Sequence, residues 1–191
     1  MEYKSVFLWL LSLALVFSCS QEKKTDGKKK TNLNTPNDLY QFKPVNLSNY
    51  DLNATIYIPD ETAGIGASFK TTVAHEEEFK WKISAGPNFE LFIEDWGENA
   101  NRFSEFKNQL MDNAVFKCTI LEQSKNTLFY KRELADLNKI NEDNHLSYHV
   151  YALISIGGIY YEIQNKQEGD NEETAKHMLT SIKSFKSANP R

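Results

Sequence analysis

The sequence predicts an α+β fold: a largely antiparallel β-sheet sandwiched by helices. Three observations predict it. In several short runs, apolar residues recur at every second position, the period of a half-buried strand. Two other runs, one in mid-chain and one near the end, recur at three- and four-residue spacing, the period of an amphipathic helix. Turn residues rather than long crossovers separate neighbouring strand runs, which is the connection antiparallel hairpins use.

Each element follows in order. "NATIYIPD" alternates and stops at Pro59, whose missing N–H ends a ladder. "TAGIGASFK" is a loop with two glycines. Phe79, Trp81 and Ile83 fall on one strand face with Lys80 and Lys82 on the other. "AGPN" marks a turn, and Phe89, Leu91 and Ile93 resume the alternation, so the two runs form a hairpin. The period then changes: Phe103, Phe106, Leu110 and Ala114 make one helical stripe. "FKCTILEQ" and "NTLFYKREL" follow as two strands around the turn "SKN". Residues 134–144 read as a short helix or a long connection. In "LSYHVYALISIGGIYYEIQN", Gly157 and Gly158 supply the positive φ of a tight hairpin turn. The closing helix has Asp170 as its N-cap and Glu173 three residues on. Lys183 and Lys186 sit at its far end, where the dipole favours cations. Ala175, Met178, Leu179, Ile182 and Phe185 form its apolar stripe, which calls for a flat apolar partner, the sheet.

The first residues carry a different message. Val6 to Phe17 is apolar apart from Ser12, too short for a spanning helix of roughly 20 residues and suited to the core of a secretory signal. Val16-Phe17-Ser18-Cys19 resembles the lipobox of bacterial lipoproteins, with Phe17 bulkier than that pattern favours. The resemblance implies removal of residues 1–18 and acylation, including palmitate, at Cys19. Each buried CH₂ of such chains contributes about 0.8 kcal/mol to anchoring. Residues 19–39 hold five lysines and almost no apolar side chain, the composition of a solvated tether. Residues 40–191 are expected to form a single domain, at about 150 residues long enough for a real core.

Composition narrows the function. The 191-residue chain has a net charge of −4, so no basic footprint for nucleic acid exists. Of its two cysteines, Cys19 is the lipidation candidate; Cys118 then has no disulfide partner and reads as a small core residue.

"DLNATIYIPD", "FKWKISAGPNFELFIED", the middle helix, "GGIYYEIQ" and "AKHMLTSIKSF" together resemble the PsbP-like and DcrB-like α/β/α sandwich domains over most of residues 46–185. That resemblance implies an accessory role, commonly membrane-associated, in assisting or stabilising larger assemblies. It transfers no functional residue to this chain.

His145 and His149 have zinc-like spacing on a helix, but on a strand they stand about 13 Å apart, too far for one ion. "AHEEEF" lacks the second histidine of a metalloprotease motif and reads as a solvated turn. Glu94, Asp95 and Glu98 decorate a helix start rather than form an acid–base pair. There is no phosphate loop and no nucleophile elbow.

The expected function is therefore that of a non-enzymatic envelope lipoprotein. It would be anchored through Cys19 on the periplasmic face of the inner or outer membrane, or displayed at the surface. It would act as an accessory or interaction module with a protein partner, without cofactor or metal. Trp96, Tyr160 and Tyr161 are the candidate contact residues. The alternative is a binder of a small apolar ligand between sheet and helix, walled by Tyr148, Tyr151, Tyr160 and Tyr161. An envelope hydrolase ranks third.

Overall fold

Every strand pairing among the described residues is antiparallel. The structure is a computed structural model and describes residues 39–66, 70–135 and 146–189. Cys19, the lysine-rich tether, residues 136–144 and His145 lie outside the described residues.

The fold is α+β. Among the described residues its ten strands are β1 (Phe42–Asn46), β2 (Ala54–Pro59), β3 (Thr71–Glu77), β4 (Lys80–Ala85), β5 (Glu90–Asp95), β6 (Phe116–Gln123), β7 (Thr127–Leu134), β8 (Ser147–Ile156), β9 (Ile159–Asn165) and β10 (Lys186–Ser187). The helices are α1 (Arg102–Met111) and α2 (Glu172–Ser184). Seven strands form one sheet in the order β3-β4-β5-β9-β8-β7-β6; β1, β2 and β10 form a second, smaller one. The predicted strand "ATIYIP" is the central strand of this second sheet, not part of the large one.

The large sheet is covered differently on its two faces. On one face Trp81, Ile83, Leu91, Ile93, Ile163 and Ala152 pack with the stripe of α2 and with Ala54, Ile56 and Ile58 of β2 in a single core. The small sheet and α2 thus form one layer over that face. On the other face α1 covers only part: Leu110, Phe103 and Phe106 pack on Leu128, Tyr130 and Tyr151 of β7 and β8. Among the described residues, no helix lies above the rest of that face on β4 and β5.

Several expectations need correction. Phe79 does not share the face of Trp81; it occupies the two-residue turn between β3 and β4 at φ +68° and is 54% exposed. "AHEEEF" is not all turn: Ala74 to Glu77 belong to β3, paired with β4. Ala114 lies beyond the end of α1 and is exposed, because Asn113 accepts hydrogen bonds from the N–H groups of Val115 and Phe116 and turns the chain into β6. The cap of α2 is Asn171, whose side chain accepts from Thr174 N–H at 2.9 Å, rather than Asp170. Asp170 instead exchanges backbone hydrogen bonds with Tyr148 and accepts from Asn165 Nδ2 at 2.8 Å. Lys186 is outside α2 and pairs in β10 against β2. The Gly157-Gly158 turn has both residues at positive φ, +64° and +93°, as the hairpin of β8 and β9 demands.

Candidate functional site

Antiparallel pairing aligns partners on one face, so the partly covered face can be read across the strands. Phe92 of β5 lies opposite Gln164 of β9, which lies opposite Tyr151 of β8. Tyr130 of β7 lies opposite His149, and Arg132 opposite Ser147. Beside α1 this face forms a groove of about 730 Å³. Phe106, Gln109 and Leu110, one flank of α1, and Asn113 just past its end make its wall. Gln167 and Glu168, just past β9, close the end near Arg132; Lys80 and Glu94 stand at the other end.

A buried charge pair sets one side of the floor. Glu162 is 2% exposed on β9. Arg102, at the start of α1, donates from Nε to Glu162 Oε2 at 2.6 Å, and the Tyr151 hydroxyl donates to the same oxygen at 2.8 Å. The Arg102 guanidinium also lies 4.1 Å above the Trp96 ring, so it is held from two sides. Burial and the Glu162 carboxylate raise the Tyr151 hydroxyl well above its ordinary pKa, so it remains a donor. Phe106 stacks on Tyr151 with ring centroids 3.6 Å apart.

The other side of the floor is a stack of neutral rings. His149 is 3% exposed, lies over Tyr130 at 5.0 Å, and has Nε2 2.8 Å from Ser147 Oγ. Burial first, and the nearby Arg132 second, lower its pKa to about 4. Burial also raises the Tyr130 hydroxyl. Gly169 backs the histidine closely: a Cβ there would stand 2.6 Å from Nε2. Arg132 donates from Nη2 to the Gln167 carbonyl and lies 4.4 Å over the Phe116 ring.

The ionisable groups of this face are largely engaged with one another. A serine–histidine contact needs a histidine basic enough to take the proton near neutral pH. His149, at about 4, is a poor base there. Glu162 is neutralised by Arg102 and spoken for by Tyr151. The Cys118 thiol is raised by burial, which keeps it protonated. Among the described residues no group of three metal-ligating side chains is assembled.

The sequence-derived candidates fall in different places. Trp96 is half-buried, donates its backbone N–H to the Tyr160 carbonyl, and packs its ring under Arg102. It belongs to the support of the buried pair. Tyr160 lies on the groove face near that pair, whereas Tyr161 points to the opposite face, edge-on to Trp81 and Phe185. The four tyrosines proposed as pocket walls also divide, because the side-chain period of a strand is two. Tyr151 and Tyr160 face α1; Tyr148 and Tyr161 face the α2 side. They cannot line one cavity. The groove residues themselves were missed. Glu162 gave one signal, a carboxylate inside the aromatic run "IYYEIQ". Arg102 and Arg132 gave none, since only the fold brings Arg102 onto Glu162 and sets Arg132 of β7 at the groove.

No protein-family model, no curated protein and no solved structure matches this chain.

Proposed function

We propose that the chain is a lipid-anchored envelope protein, acylated at Cys19, whose folded part is a non-catalytic accessory module of the PsbP-like or DcrB-like kind. The tether of residues 19–39 would let the domain reach a protein partner while the anchor keeps it at the membrane. The observation that carries the reading is the apolar run ending in Ser18-Cys19 and turning at once into a lysine-rich segment. Three further features support it. A seven-stranded sheet with α1 on one face and α2 on the other is consistent with the sandwich resemblance. The groove is open, so a macromolecular segment can enter it. Its ionisable floor groups are already engaged with one another rather than poised for proton transfer.

Metabolic labelling with radioactive palmitate tests the anchor. Wild-type chain is expected to carry label and to sediment with membranes, and Cys19→Ser to lose both. Label retained by the variant would remove the anchor assignment. Cross-linking in intact cells tests the module: discrete adducts with other envelope proteins are expected, and a chain that is always recovered alone would defeat the accessory reading.

A further inference from the structure

We propose that the groove beside α1 binds a short extended peptide bearing a carboxylate, with that carboxylate paired to Arg132. The proposal rests on the accessory-module reading and names the class of partner segment such a module would hold.

Size comes first. A volume of about 730 Å³ lies inside the range of roughly 300–1,000 Å³ usual for ligand sites. From Phe106 to Leu110 the α1 wall runs about 6 Å, and Asn113 lengthens it past the helix end. An extended chain spans about 3.3 Å per residue, so this wall faces two or three residues of a short segment.

The chemistry of the lining then selects the class. Gln109, Asn113, Gln164 and Gln167 contribute four primary amides, each offering both donors and acceptors. Peptide groups of an extended chain need that mixture; an acyl chain or other apolar ligand would bury it unpaired at a cost. Phe92, 36% exposed in the floor opposite Gln164, offers a seat for an apolar side chain.

Charge supplies the polarity. Two of the cations lining the groove are already engaged, Lys80 with Glu77 at 2.9 Å and Lys166 with Asp170 at 3.1 Å, and Arg102 outside the lining is held by Glu162. Arg132 has no carboxylate partner among the described residues. Its guanidinium is nevertheless held in place by the Gln167 carbonyl and the Phe116 ring, and Nε is buried without a hydrogen bond. A positioned guanidinium with no counterion among the described residues has the geometry of a carboxylate receptor. A neutral glycan would leave it unmatched. Glu168, exposed at the same end, opposes an incoming carboxylate and limits affinity.

The test titrates the ¹⁵N-labelled full chain, in detergent micelles, with acetyl-Lys-Phe-Gly-Phe as the free acid and as the C-terminal amide. The free acid is expected to shift the Phe92, Gln109 and Gln164 resonances saturably. The amide should bind about tenfold more weakly, the worth of a charge-assisted contact. Arg132→Gln should abolish the acid–amide difference, and Glu168→Gln should tighten the acid. The Glu168 variant and the acid–amide comparison on the wild type keep the test independent of whether Arg132→Gln folds. Equal binding of acid and amide, or shifts that miss the groove, would overturn the proposal. So would Arg132-dependent saturation by a hexuronate oligosaccharide with no response to peptide. Partners captured by cross-linking together with a null titration would sink the groove assignment alone; absence of any cross-linked partner would instead sink the accessory reading.

Discussion

Phe79 turns the chain between β3 and β4 at φ +68°, a conformation that crowds a branched or bulky side chain against its own backbone. Its ring is 54% exposed, so burial returns little of that strain. Phe79→Gly is expected to stabilise the protein by about 1 kcal/mol, the scale of the left-handed penalty, measured by urea denaturation at constant slope. His149 makes the opposite kind of statement. The unfolded chain takes up its proton near the ordinary value, while the folded chain resists until about pH 4. The unfolded state therefore binds more protons throughout that interval, and stability falls as pH drops from about 6.5 to about 4. The loss is up to about 3 kcal/mol. His149→Gln should flatten this part of the stability profile relative to wild type, leaving the contribution of the carboxylates; a profile with unchanged slope would show that His149 is not held neutral.

At the scale of elements, α1 is a short helix that depends on docking. Its ten residues are too few to be stable alone in water. Two contacts fix it: Phe106 and Leu110 on the aromatic floor, and Arg102 on Glu162. Glu162→Gln should leave the half-buried guanidinium without its counterion and cost about 3–5 kcal/mol. Replacing both partners, as Arg102→Leu with Glu162→Leu, should recover much of that loss, because neither charge is then stranded. Thermal unfolding of the single and double variants checks this, and additive losses would argue against a coupled pair. The helix periods were legible in sequence for both α1 and α2, since the stripe Ala175, Met178, Leu179, Ile182 and Phe185 is buried throughout. Their ends were not. Asn171 and Asp170 are both good caps, and only the backbone bonds between Asp170 and Tyr148 decide which one is free to cap.

Across the whole molecule, a single apolar core ties the large sheet, α2 and the small sheet together. Met178 is fully buried in it. Met178→Ala should cost about 2–5 kcal/mol and lower one cooperative transition, with near- and far-ultraviolet dichroism changing together. Separate transitions would mean that the small sheet and α2 form an independent unit.

Local chemistry was enough to determine the strand runs, the Gly157-Gly158 turn, the two helical stripes and the α+β class, because each depends on side-chain period and on turn residues close in the chain. Strand parity separates Tyr160 from Tyr161, against the expectation that both wall one pocket. Only the tertiary structure decided that "ATIYIP" joins a separate sheet, that Trp96 braces Arg102, and that Arg132, Phe92 and one flank of α1 share a groove. The reason is physical: sheet partnership and the meeting of distant side chains are set by which faces bury most apolar surface together, and that is a property of the assembled layers, not of any one segment.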